Sequence, residues 1–270
     1  MSVWLPKTKL LMKKLLLFFL LLSCYQVEKV QAQLFGGQLK ATISPYPPGT
    51  VHCNPQNRTA VVEVTNPITG KTWMDRNLGA ERVAASSTDA LAFGDLYQWG
   101  RGADGHQCRN SLEQTTRSTT NQPGHSKFIT VTRASTTTND WRNPQNDALW
   151  LEIGGINNPC PEGFRLPTEG EVRAERITWG SQTNVGAFNS VLKLPLAGYR
   201  DINGDVLSTA QGSAYGFIWT STNSGSSSGD PYSQYKSEAL AYNGPGDNPA
   251  SAFENPYDRA RGYSVRCIKN

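Results

Sequence analysis

The residues of this chain whose types and spacing could do chemistry are three histidines, a set of cysteines and one alternating acidic stretch. A hydrolase built on Ser-His-Asp or Cys-His needs a histidine beside its nucleophile, oriented in turn by a third group. His52, His106 and His125 are the only histidines. His106 in "ADGHQC" and His125 in "QPGHS" each follow glycine in turn-like contexts and read as exposed loop side chains. No catalytic residue is assigned on this pattern, and no enzyme is expected. His52-Cys53 and His106-x-Cys108 could together be written as a four-ligand zinc site. In an exported chain an even number of cysteines reads instead as disulfides, so Cys53, Cys108, Cys160 and Cys267 are expected to form two bridges. Three pairings are open, and no cofactor is assigned.

Asp201, Asn203 and Asp205 place oxygens at alternating positions, as a calcium loop does. The distant bidentate Glu of an EF-hand is missing. Asn203-Gly204 between two β-type runs is also a strong hairpin-turn signal. A turn is the first expectation here and a metal site at these three residues the alternative. Among the tryptophans, Trp73, Trp99 and Trp219 sit in apolar or β-like runs and are expected in the core. Trp141 and Trp150, in the polar stretch "NDWRNPQNDALW", are expected to be exposed and to bind ligand through their ring faces.

The elements that must position these side chains lie beyond an N-terminal leader. Four lysines precede the apolar run "LLLFFLLL" (residues 15–22), which is too short to span a bilayer and reads as an export signal. Cleavage after Ala32 in "VQAQ" is expected, with a lipidated Cys24 in "LLSC" as the alternative. The formal net charge is +4. Residues 1–32 hold five lysines and one glutamate, so what remains carries 21 basic and 21 acidic residues. The basic excess belongs to the leader, and no nucleic-acid partner is expected. The mature chain is expected outside the cytoplasm, at the cell surface, in the extracellular space or in the periplasm, with no transmembrane span.

Residues 33–58, rich in proline and glycine, read as an extended lead-in, and residues 59–270 as one domain. Two β-type runs flank "NPITG" as a hairpin. Residues 110–145 form a long Thr-, Ser- and Asn-rich excursion of the kind used for binding or Ω-type loops. The clearest helix starts at Thr168, where Thr168 and Glu171 make a capping box behind Pro167, and runs to about Trp179. Short β-runs come after it, ending on "GYSVRCIKN", where Tyr263, Val265 and Cys267 alternate with Ser264, Arg266 and Ile268. The fold class expected is α+β with short antiparallel strands, one to three helices and long loops.

Six motifs in order, "GKTWMDRNLGA", "GDLYQWGRGADGH", "NPCPEGFRLPTEGE", "LKLPLAGYR", "GFIWTST" and "GYSVRCIKN", make residues 59–270 resemble the Fibrobacter succinogenes major paralogous (FISUMP) domain. That family is common in exported proteins of Bacteroidota and is similar to the C-type lectin-like fold. "FRLPTEGE" also resembles the "RLPTEAEWE" of formylglycine-generating-enzyme-like domains, with "EGEV" departing from the acidic-Trp pattern. Their oxidase chemistry needs a C-terminal cysteine pair for copper, and only Cys267 lies in the last hundred residues. The resemblance implies a single lectin-like domain acting as a binding or adhesion module, for a glycan or alternatively for a surface protein. It further implies that the terminal strand returns beside the central helix, joining Cys160 to Cys267 and leaving Cys53 to pair with Cys108.

Overall fold

The computed structural model describes residues 32–35, 38–41, 44–132, 139–151, 154–208, 215–224, 236–243 and 252–270. The expected leader, Cys24 included, falls outside the described residues except for Ala32. The chain forms two compact units, Met1–Ser44 and Pro45–Asn270. The first contains an antiparallel pair, β1 (Ala32–Phe35) with β2 (Gln38–Ala41), in the register Ala32↔Ala41.

The second unit is α+β, with two short helices among the described residues and small sheets that are there antiparallel apart from one two-stranded pair. β3 (Glu63–Thr65) and β4 (Thr72–Met74) form the hairpin expected around "NPITG". Asn66 makes the turn, its Oδ1 accepting the backbone N–H of Ile68 at 2.8 Å while Gly70 N donates to its carbonyl at 2.8 Å. Such Asx geometry satisfies turn amides without a neighbouring strand. A 3-10 turn (Ala90–Ala92) leads into β5 (Tyr97–Gln98). β6 (Glu113–Gln114) and β7 (Phe128–Ile129) are the parallel pair. β8 (Phe164–Arg165) then precedes helix α1 (Glu169–Ile177).

The capping box of α1 is complete: Thr168 Oγ1 accepts Glu171 N–H at 3.2 Å, and Glu171 Oε2 accepts Thr168 N–H at 3.0 Å. Burial pushes the Glu171 carboxyl up, but its bonds from Arg165, the Thr168 amide and Lys71 outweigh this and hold it at about 2. Helix α2 (Asn184–Asn189) comes next, then β9 (Tyr199–Arg200), β10 (Val206–Leu207), β11 (Tyr215–Asn223), β12 (Lys236–Asn243) and β13 (Ala252–Asp258). The last two strands are β14 (Gly262–Tyr263) and β15 (Ile268–Lys269). The sheet orders are β10-β9-β14-β5, β11-β12-β13 and β3-β4-β15-β8.

The C-terminal run, expected as one strand, is two: β14 lies in one sheet and β15 in another. Its alternation survives the break because the run passes between two apolar cores. Tyr263, Val265 and Cys267 enter the core built on Trp99, Trp141, Trp150 and Trp219, whereas Ile268 enters the one built on Trp73, Trp179 and Leu240. Arg266, fully buried on the second side, spends its donors on Leu192 O at 2.7 Å, Asn77 Oδ1 at 3.1 Å and Met74 O at 3.3 Å. A buried guanidinium is tolerated because its N–H groups are paired in this way.

The boundary of the second unit differs from the one the composition suggests. Residues 45–58, expected as a lead-in, belong to the compact unit. Tyr46 is buried and donates to Thr59 O at 2.8 Å, and Glu162 N donates to Pro45 O at 2.7 Å. Prolines and glycines deny this stretch a ladder, yet cross-chain bonds and a disulfide still pack it down.

Candidate functional site: a cleft beside the Cys53–Cys108 bridge

Two disulfides are present, Cys53–Cys108 and Cys160–Cys267, with Cα–Cα distances of 5.3 and 5.9 Å. They are the two pairings the family resemblance implied. Cys160 and Cys267 are buried in the Trp99 core, tying the segment before α1 to the residue just ahead of β15. Cys53 is exposed and Cys108 half-buried. A histidine-cysteine zinc arrangement is thereby ruled out for these sulfurs, which are bonded to each other.

Beside the exposed bridge lies a cleft of about 390 Å³. Four chain segments build it: residues 47–51, 102–104, 121–126 and 156–159. Val51 holds the first wall to the second, its N–H donating to Ala103 O at 2.7 Å and its carbonyl accepting from Gln107 Nε2 at 2.8 Å. Gly105 allows the second and third walls to meet. Its φ is +102°, and a Cβ there would stand 2.7 Å from Ser126 Cβ, so any side chain would push the walls apart.

The polar frame behind the cleft centres on Arg101, which is fully buried. It donates to Asp104 Oδ2 (Nη2 at 2.6 Å), to Gln98 Oε1 at 2.9 Å, to Lys127 O at 3.1 Å and to His125 O at 3.2 Å. One guanidinium therefore fixes the 102–104 and 125–127 segments together. Its fork geometry and five donors are what such a junction requires. Asp104 also accepts from His106, at 2.7 Å from Nδ1 and 3.0 Å from the backbone N–H. Burial pushes the Asp104 carboxyl up, but the His106 and Arg101 partners outweigh it and hold the group well below the usual carboxylate range.

His106 is not the exposed loop residue expected. It is completely buried, and its Nε2 accepts the Gln98 backbone N–H at 3.0 Å. That bond assigns the proton to Nδ1, facing Asp104. Burial, with Arg101 nearby, pushes its pKa down to about 4. Both ring nitrogens are engaged and neither meets solvent, so the imidazole positions the Asp104 loop rather than acting on a ligand. His125, half-buried at the cleft, has its Nδ1 3.1 Å from Lys127 N and its Nε2 2.7 Å from the Gln114 carboxamide.

Trp141 and Trp150 are corrected likewise: they are 0 % and 1 % exposed and offer no ring face to a ligand. The polar excursion folds its tryptophans inward because each indole finds both apolar neighbours and a carbonyl for its N–H. Trp141 Nε1 donates to Trp99 O at 2.6 Å, and Trp150 Nε1 to Asn157 O at 3.0 Å. Asn157, 4 % exposed, donates from Nδ2 to Gly100 O at 2.8 Å and Asn121 O at 2.7 Å. It thus joins two of the cleft's four segments, its own and 121–126, to Gly100 just ahead of a third. The excursion reaches the cleft through residues 121–126 instead of through its tryptophans. Nothing in the sequence singled out Asn157, Arg101 or Asp104. A signal was available for Arg101 and Asp104 alone: "GRGADGH" packs three glycines among charged side chains, as a loop pinned by its own side chains does.

A smaller void of about 20 Å³ lies behind the cleft, shares Thr50, Val51 and Pro159 with it and reaches Asp95. Asp95 is 7 % exposed, and its carboxyl rests against the Cα of Gly79 (φ +82°), where a Cβ would lie 2.3 Å from Asp95 Cγ. Burial pushes this carboxyl up to about 7 despite the Arg109 charge.

Asp201, Asn203 and Asp205 form the turn between β9 and β10, with Asp201 N donating to Asp205 O at 2.8 Å and Gly204 N to Asp201 O at 3.0 Å. Asp201 Oδ1 stands 3.2 Å from Arg261 Nη2, and Asn203 Nδ2 donates to Asp205 Oδ2 at 2.6 Å. The side chains therefore face an arginine and an amide N–H group, the wrong partners for a set of oxygen ligands. Among the described residues no cluster of three His, Cys, Asp or Glu side chains suits a metal ion. No family model, curated protein sequence or solved structure matches this chain.

Proposed function

We propose that the chain is an exported, non-enzymatic binding module of the FISUMP type on a C-type lectin-like fold, and that the cleft beside the Cys53–Cys108 bridge takes a glycan. The observation that carries this reading is the composition of the cleft wall. Asn121, Gln122 and Ser126 line it beside the aliphatic side chains of Val51 and Ile156, which are 42 % and 60 % exposed. Sugars present that combination in reverse, with hydroxyls on the ring edge and C–H groups on its face. Uncharged amides serve both donor and acceptor hydroxyls without the desolvation cost of an ion. Asp104 adds one accepting carboxylate, already tied to Arg101 and His106. The engagement of both His106 nitrogens supports a binding role over hydrolysis.

The two disulfides mark a protein that folds outside the reducing cytoplasm, in keeping with export. Among the described residues no helix is long and apolar enough to cross a membrane. A second reading, adhesion to a surface protein, is favoured by exposed aliphatic side chains outside the cleft: Leu112 is 74 % exposed and Leu151 50 %. A glycan array separates the two, since reproducible protein capture without any glycan signal would favour adhesion.

A further inference from the structure

The two disulfides differ in a way their shared oxidation state conceals. Cys160 and Cys267 are 2 % and 0 % exposed inside the apolar core. Cys53 is exposed at the surface, and its partner Cys108 is half-buried. The exposed bridge also joins two walls of the cleft, since residues 47–51 precede Cys53 by only a few positions and residues 102–104 precede Cys108 likewise. Between those walls runs the backbone bond from Val51 N–H to Ala103 O, supported by Gln107 Nε2 on Val51 O. Past Val51, the 52–58 stretch is held by Asn54 and Asn57, which share the Glu81 carboxylate at 3.0 Å each. Both of those contacts are at or near the surface.

We propose that Cys53–Cys108 is a redox latch: a site for thiol–disulfide exchange with a dithiol reductant, whose opening loosens the 47–51 wall of the cleft. A thiolate of the dithiol attacks Cys53 Sγ, the sulfur carried by the exposed residue of the pair. The Cys53–Cys108 bond breaks, and Cys108 leaves with the electron pair as a thiolate and takes a proton from water. The second thiol of the reductant, deprotonated, then closes the reductant's own disulfide and expels Cys53 as a thiolate, which is protonated in turn. Overall the dithiol gives up two electrons and two protons, and the protein gains two thiols. The core bridge offers no approach to an attacking sulfur and stays closed. The effect on binding rests on the cleft being the ligand site; the opening of the wall does not.

The test is therefore free of ligand. The full chain is treated with dithiothreitol without denaturant, pulsed with iodoacetamide and mapped by mass spectrometry, while hydrogen exchange is followed at the Val51 amide. The expected result is alkylation of Cys53 and Cys108 at least tenfold faster than of Cys160 and Cys267, with Val51 exchange accelerated tenfold or more. The Cys53→Ser, Cys108→Ser double variant should show the fast exchange from the outset and no further response to dithiothreitol. Alkylation of all four cysteines together, or reduction of the exposed pair with Val51 exchange unchanged, would overturn the latch. A glycan array that stays blank would count against the cleft's ligand and leave these readouts as they are.

Discussion

Trp150 Nε1 donates to the backbone carbonyl of Asn157 at 3.0 Å, and the Asn157 carboxamide in turn spans Gly100 and Asn121. A tryptophan from the most polar part of the sequence is thus a structural post under the cleft. Replacing it should read as lost stability. Trp150→Phe keeps most of the ring but leaves a buried carbonyl unpaired, at a cost of about 1–3 kcal/mol. Trp150→Ala should cost about 3–5 kcal/mol. Urea denaturation measures both. An unchanged midpoint with altered ligand binding would restore the exposed reading.

The Cys160–Cys267 bridge closes a sequence separation of 107 residues. On chain-entropy grounds such a closure is worth about 4–5 kcal/mol. Cys267→Ser should therefore remove a large share of a typical domain's stability. Cys53→Ser opens a 55-residue closure, worth only slightly less on the same grounds, and should be milder mainly because it leaves no defect in the apolar core. Equal losses in thermal unfolding would contradict this ranking.

Asp95 sets a dependence on pH. Its folded carboxyl holds a proton up to about 7, whereas an unfolded aspartate releases it near 3.9. Between those values the folded state binds more protons, so its contribution is fully present below about pH 4 and is lost as pH rises through about 7. Asp140, raised to about 6 by burial against the pull of Arg259, acts with the same sign. Asp95→Asn removes the ionisation. The variant should gain on wild type as pH rises from about 4 to about 8, by a difference on the order of 4 kcal/mol. Parallel stability-versus-pH curves for the two proteins would show that Asp95 is not the group responsible.

Calcium should leave the melting temperature unchanged, because Arg261 and an amide N–H occupy the faces of the Asp201 turn. A ligand at about a hundred times its dissociation constant stabilises by about 2.7 kcal/mol, an easily seen shift. Such a rise on adding calcium would require the turn to rearrange into a binding loop.

Local signals carried the elements whose causes are local. The Thr168–Glu171 capping box, the Asn66 turn and the Asn203-Gly204 turn each fold through bonds between near neighbours in sequence, and each was legible. β13 was not, because Pro256 and Asn255 disguise a strand; it lies at the edge of its sheet, where a missing N–H donor is tolerated. The site depended on contacts of long separation. Arg101 binds carbonyls 24 and 26 positions away, and Asn157 reaches one 57 positions away. Polar neighbours placed Trp141 outside and a glycine-flanked turn placed His106 there, whereas a bond to Trp99 O brings Trp141 in, and bonds from Gln98 N–H and to Asp104 bring in His106.

A glycan held in the cleft would lie against Ser126, and filling that position separates the two readings. Ser126 lines the cleft and is exposed, so Ser126→Trp fills the space while leaving the Arg101 junction in place. Wild type and Ser126→Trp are compared on one glycan array, with melting temperatures measured alongside. Wild type should give a defined glycan signal, reduced at least tenfold in Ser126→Trp at a closely similar melting temperature. An undiminished signal in the variant, or a blank array for wild type beside reproducible capture of a protein partner, would contradict a glycan in the cleft.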